Sequence, residues 1–231
     1  MAEVVVLRQV RQTADWDCGL ACIEMMMRWM HQLYPHVFHI INANHLHAQL
    51  RKAMPFRSVW TIDLVAYLWA WIVRANQPAH MKVEVWFAST SMQVNPVHAS
   101  HPYYSADYAA DVARVAPLYS SWRDRSFQGQ VSTAELKRRM RMPTAVLLVL
   151  VDASHLECCV WNDTTTLQLT DRPSFQGHFI LVTAITDDKV YYVDPASALH
   201  EVCVADVATF DRARTHPSTD HDLCLLSIQR F

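Results

Sequence analysis

Three glycines in 231 residues, Gly19, Gly129 and Gly177, constrain this chain more than any other feature of it. Ordinary usage is roughly 7 %. A chain so poor in glycine makes its turns with Asn, Asp, Pro and Ser, and the glycines that remain mark places where a side chain cannot be tolerated. Two of the three adjoin chemically active residues, in Cys18-Gly19 and Gly177-His178. Three glycines also leave no material for a glycine-rich phosphate cradle.

The rest of the composition describes a chain with a core. Hydrophobic residues make up 52 %, eight Trp are present, and charged residues are held to 18 %. That balance excludes a disordered or coiled-coil chain. A formal net charge of −2 creates no strong field for nucleic acid or anionic lipid, so neither a nucleic-acid nor a membrane partner is expected. In MAEVVVLRQVRQ, Arg8 and Arg11 follow a short apolar run, the wrong order for a secretory leader. The most apolar stretch, LVAYLWAWIV over 64–73, is too short to span a bilayer. Six cysteines are too few for a disulfide scaffold. These features predict a cytoplasmic protein of one domain over 1–231, with a helical insertion around 89–130.

Periodicity assigns the elements. Residues 3–10 read as a strand or extended arm. From Asp17, a good N-cap, Leu20, Ile23, Met26, Met27 and Met30 recur at helical steps. Helices are also predicted over 42–54 and over 61–75 with Thr61 as cap. Another is expected across SADYAADVARVAPL, ended by Pro117. The helix over 132–142 carries a Ser132/Glu135 capping box. Strands are predicted at 82–88, 144–151, 157–161, 178–185, 189–193 and 222–228. Helices first and strands later argue for an α+β fold, a helical half packed on an antiparallel sheet.

Cys18 falls in the first turn of the first predicted helix. There the macrodipole and unpaired N–H groups favour thiolate, and Gly19 is expected to leave open space beside the sulfur. A Cys at a helix start is commonly packing, so the reading needs partners. His178 opens one strand of a predicted hairpin and Asp194 closes the next. A three-residue loop, Thr186-Asp187-Asp188, pairs Ile185 with Lys189 and Ile180 with Asp194. His178 and Asp194 are then diagonal neighbours on one face. A two-residue loop would put them on opposite faces. Gln12, six residues before Cys18, carries an amide able to donate to an oxyanion.

The order Gln…Cys-Gly…His…Asp resembles papain-like cysteine peptidases. QTADWDCGLAC, with its six-residue Gln-to-Cys step, is similar to bacteriocin-processing C39-type peptidases. WDCGLAC, VWTIDL (59–64), FQGHFIL (175–181) and FDRARTHPSTDHD (210–222) closely resemble the guanylyl cyclase domain-containing protein family, from about Gln9 to the C-terminus. Some relatives carry Asn at the position of Asp194, and Asn can also orient a His. The resemblances imply a papain-like fold. They also imply a thiol hydrolase acting on a peptide or protein substrate, with Cys18 as nucleophile, His178 as base, Asp194 as its orienter and Gln12 in the oxyanion hole. Trp16, Gly19 and Gly177 would line the substrate cleft, and no metal or organic cofactor is required.

Two other readings stand beside that one. The family's name implies conversion of GTP to cyclic GMP, chemistry that usually calls for carboxylates on a divalent metal. The basic run LKRRMR (136–141) and Asp152, Asp187 and Asp188 are what the chain offers for it. The third reading is a non-catalytic interaction module. Cys18 and Cys22, four apart, form a possible metal pair, although Cys22 reads more simply as core. Trp60, Trp69 and Trp71 also read as core. Arg212 and Arg214 are expected to pair with Asp220 and Asp222.

Overall fold

The computed structural model describes residues 5–156, 175–198 and 200–231. Its centre is a sheet of seven strands in the order β2-β1-β7-β3-β4-β5-β6. The strands are β1 (Met81–Ser89), β2 (Ser126–Gln128), β3 (Ala145–Asp152), β4 (Gly177–Ile185), β5 (Lys189–Val193), β6 (Cys203–Asp206) and β7 (Leu223–Arg230). The helices are α1 (Cys18–Leu33), α2 (Leu46–Ala53), α3 (Thr61–Arg74), α4 (Tyr108–Trp122), α5 (Thr133–Arg139) and α6 (Val207–Arg214). The fold is α+β. The sheet is mixed rather than antiparallel, because β2 runs parallel to β1 at the edge, through Phe87–Ser126 and Ala88–Phe127. The strand expected over 157–161 lies outside the described residues.

The hydrophobic pattern of the central strands explains the layering. TAVLLVLV in β3 does not alternate with polar residues because both of its faces are covered. Val146 and Leu148 join a core with α1, α2, α3 and α4, while Leu147, Val149 and Val151 join a second core with Leu136 of α5 and Phe210 and Ala213 of α6. A large helical layer and a small one therefore sandwich the sheet. Among the described residues no helix is long and apolar enough to cross a membrane.

Several local expectations give way to tertiary context. Residues 5–10 form no strand. The cap of α3 is Trp60 rather than Thr61, and its backbone N–H donates to Asp63 at 2.9 Å. Pro117 does not end its helix: α4 runs on to Trp122. At α5 the Ser132 hydroxyl accepts from the Glu135 N–H as predicted, but the Glu135 carboxylate turns to Arg138 and Arg139. The expected Arg–Asp cluster of the C-terminal segment does not form. Arg214 donates instead to Asp211 at 2.6 Å and to the Val131 carbonyl at 3.0 Å, Asp220 accepts from Asn95, and Asp222 is buried.

Candidate functional site

The hairpin β4–β5 brings His178 to Asp194 by a route the sequence does not show. At its tip Ile185 pairs with Val190, one residue away from the expected partner Lys189. A register shift between Val182 and Ala184 then restores the pairing, so that Leu181 faces Val193. Such a bulge inserts one residue and resets which side chains share a face. The outcome is a 2.7 Å contact between His178 Nε2 and the Asp194 carboxylate. The same carboxylate oxygen accepts the Ala196 N–H at 2.8 Å. The arm before α1 clasps this corner: Gln9 donates to the Asp194 carbonyl at 2.6 Å, and the Gln12 N–H to the Pro195 carbonyl at 3.0 Å.

Cys18, at the N-terminus of α1, brings its sulfur close enough to His178 to raise the basicity of the ring. Because Nε2 already meets Asp194, Nδ1 is the ring nitrogen left for the sulfur. Burial alone would lower the basicity of this imidazole. The hydrogen bond to Asp194 and the nearby Cys18 sulfur overcome that and push its pKa up to about 10, so the ring is a cation across the neutral range. Burial opposes ionisation of Asp194 too, yet the His178 contact holds its carboxyl below the usual range.

The three residues lie on the wall of a cleft of about 600 Å³, a size ordinary for small-molecule sites. Gln12, Trp16 and Gly177 also line it. Gln12 presents its amide differently from that expected of an oxyanion donor: Nε2 donates to the Ala14 carbonyl at 2.9 Å, and Oε1 is buried without a partner among the described residues. Gly19 needs correction. It leaves no open space, since an added Cβ would lie 2.7 Å from Leu64 Cδ1 and 3.0 Å from the Phe179 ring. This glycine lets α1 sit against α3 and β4.

The opposite wall comes from segment 89–130. A 3₁₀ turn, Pro96–Ser100, and the residues after it set His98, His101, Tyr103 and Tyr104 against Trp60 and Phe175. The rings pack edge-on and tilted, with centroids 4.6 Å apart for His98–Tyr104 and 5.6 Å for Trp60–Tyr104. The sequence reads this segment as an insertion that would shape any cleft, with a side-chain mix that points to no ligand class, although the density of rings in HASHPYY (98–104) was visible. Trp60 therefore serves both as core and as cleft wall.

A second buried network was also missed. The Asp17 carboxylate does not cap α1. It accepts from the Thr13 and Ala14 N–H groups at 3.0 Å each, and His47 Nε2 approaches it at 2.9 Å. His47 Nδ1 meets Glu24 at 3.0 Å, and Glu24 pairs with Arg28. Asp17 and Glu24, seven residues apart and two turns along one helix face, were the available signal.

The basic run is consumed internally: Lys137 pairs with Asp187, and Arg138 and Arg139 with Glu135. Asp152 accepts from Ser154, His155 and the Gln176 N–H, away from Asp187 at the hairpin tip. Cys22 is buried and donates to the Phe179 carbonyl at 3.5 Å. Among the described residues no three of His, Cys, Asp and Glu gather as a metal would require.

Comparison with known proteins corrects the hydrolase reading. A family model described as "Guanylylate cyclase" matches residues 7–226. The protein "Guanylyl cyclase 1" of Arabidopsis thaliana is 24 % identical over 229 residues, covering 96 % of this chain and 76 % of that one. Both point away from a cysteine peptidase. Cys18, His178 and Asp194 do meet in space, but the meeting specifies an arrangement of side chains and not the bond on which they act. By the match over residues 7–226, the chain belongs to the guanylylate cyclase family.

Proposed function

We propose that the chain is a guanylyl cyclase-like enzyme that binds GTP in the aromatic cleft and converts it to cyclic GMP. The observation that carries the reading is the family match over 7–226, and the name of the Arabidopsis relative agrees with it. The cleft is compatible: a purine has flat rings to lie against, in Trp60, Tyr104 and Phe175, and stacking on such rings contributes about 1–3 kcal/mol per base. Arg57 stands at the same cleft as a cation for the phosphates. Magnesium belongs to the substrate in this reading and arrives on the triphosphate.

In the reaction the ribose 3′ oxygen bonds to the α-phosphorus. The bond from that phosphorus to the bridging oxygen breaks, and pyrophosphate leaves. His178, a cation beside the reacting centre, places positive charge where negative charge accumulates. Asp194 holds the ring in register. The Cys18 sulfur is the acceptor for the 3′ proton. The architecture is read as papain-like, supported by a Cys-bearing helix against strands that carry His178 and Asp194.

The test supplies GTP with Mg²⁺ or Mn²⁺ to the purified chain and quantifies products by mass spectrometry. Cyclic GMP and pyrophosphate are expected in equal amounts, and His178→Ala should lose roughly 100-fold or more of the rate. A folded wild-type chain that neither binds nor converts GTP would sink the reading.

A further inference from the structure

We propose that the Tyr104 hydroxyl is a further catalytic group, a hydrogen-bond donor to the negative charge that develops beside Cys18 and His178. Its substrate, a nucleotide phosphoryl group, rests on the reading above; its geometry does not. Tyr104 lines the cleft that Cys18, His178 and Asp194 also line. Its hydroxyl lies 2.9 Å from where a Cβ would stand on Gly177, the residue before His178. Any side chain at 177 would therefore push the phenol away from the reacting centre. This gives Gly177, the second of the two glycines that adjoin chemically active residues, a reason that does not involve turn geometry.

The hydroxyl is available and well held. The neighbouring Tyr103 donates its hydroxyl to the Arg57 carbonyl at 3.0 Å, whereas the Tyr104 hydroxyl has no such partner among the described residues. Four rings fix the phenol: His98 at 4.6 Å, Tyr103 at 4.8 Å, His101 at 5.2 Å and Trp60 at 5.6 Å between centroids. Burial, with the charges of Tyr103 and Cys18 adding to it, pushes the phenol's pKa up, so the group stays a donor throughout the working range. A donor fixed before substrate arrives needs no reorganisation when charge develops, which is what makes such groups effective.

The experiment is Tyr104→Phe, which keeps the ring and its four neighbours and removes only the oxygen. Two readouts are taken. The first is the rate of Cys18 alkylation by iodoacetamide against pH, read by peptide mass spectrometry; it requires no nucleotide. Loss of the donor is expected to move its midpoint up by roughly half a unit or more. The second is GTP turnover, expected to fall about 100-fold, with GTP affinity within threefold of wild type. An unchanged alkylation midpoint, or turnover lost only in step with affinity, overturns the proposal. A wild type without turnover defeats the cyclase reading, and the alkylation profile alone then decides for or against Tyr104.

Discussion

Two histidines in this molecule are clamped by acids, and their surroundings give them opposite duties. His178 meets one carboxylate, Asp194, and its other side lies by the Cys18 sulfur on the wall of a cleft. His47 meets carboxylates on both nitrogens, Asp17 at 2.9 Å and Glu24 at 3.0 Å, and neither acid reaches water: their side chains are 0 % and 3 % exposed. Both rings are held more basic than usual, so a raised pKa does not separate them. What separates them is whether the arrangement leaves a group unspent. The His47 network is closed and ties α2 and the loop at 13–14 to the start of α1. At His178 the sulfur remains for chemistry.

The largest effect that could break this contrast is His47→Ala. It leaves two buried carboxylates facing each other across an empty space. Removing one member of a buried charge cluster costs about 3 kcal/mol or more, which for a chain of this size lowers Tm by roughly 6–12 °C. Urea and thermal unfolding check it. His178→Ala should cost distinctly less stability while removing turnover. If the two variants lose stability equally, the division into a structural and a reactive histidine is wrong.

The pH dependence sharpens the contrast. The hydrogen bond that His47 donates to Glu24 raises its pKa first, burial opposes, and Asp17 adds to the rise. A histidine raised in the folded state contributes stability that is whole below its unfolded pKa near 6.5 and is lost as pH rises through the folded value. Asp17 and Glu24 behave in the mirror sense. Burial opposes them, yet Thr13 and His47 hold Asp17 low, and His47 and Arg28 hold Glu24 low. Their contribution is present above the ordinary carboxyl values of 3.8 and 4.5 and is lost as pH falls through the folded ones. The closed network is therefore bounded on both sides. The His178 contribution, by contrast, keeps declining up to pH about 10. Tm measured from pH 3 to 10 should show an acid limb that His47→Ala weakens and an alkaline limb that persists in it. NMR of the His178 ring should show no titration near neutrality.

How much of this was legible in the sequence follows from where each contact comes from. The central strands were readable because β3 and β4 are apolar on both faces, and that covering is itself written in the absence of alternation. The pairing of His178 with Asp194 was anticipated from a three-residue loop, but the tip register is one residue off and a bulge at 182–184 compensates. The bulge carries no composition signal, because no glycine stands at 182–184. Pro117 misled because it sits on the exposed side of α4, where packing of Val115 and Tyr119 against the core outweighs one lost hydrogen bond. Trp60, called for the core, is that and cleft wall at once. The ring-lined wall from 98–104 depended on a long-range approach of a loop, which local pattern does not encode.

Gly19→Ala tests the seat of α1 and has an intermediate effect. The new methyl would meet Leu64 Cδ1 at 2.7 Å and the Phe179 ring at 3.0 Å. Leu64 can turn aside, while Phe179 is tied into the strand beside His178, so the cost is about 1–2 kcal/mol. Because Phe179 neighbours His178 and Gly19 neighbours Cys18, the substitution should disturb the Cys18–His178 contact and spare the His47 network. The check is unfolding by urea together with the alkylation midpoint of Cys18. A shifted midpoint with the acid limb of Tm intact supports the separation of the two regions; an intact midpoint with the acid limb lost contradicts it.

The smallest expected effect belongs to Arg51, which touches both regions. Its guanidinium stands 4.0 Å from Asp17 in the closed network and 4.9 Å from the ring of Trp16 on the cleft wall. The side chain is 43 % exposed, so its ion pair is screened and contributes little, and a cation over an exposed ring adds about 0.5–1 kcal/mol. Arg51→Gln should therefore lower stability by less than about 1 kcal/mol. Trp16 would lose the cation that steadies it, and affinity for a ligand in the cleft should weaken by about two- to threefold. Isothermal titration with GTP and urea unfolding measure the two together. A stability loss comparable to that of His47→Ala would mean that Arg51 is part of the buried network and that the two regions are one. A change confined to affinity would place it on the cleft side, with the closed network complete without it.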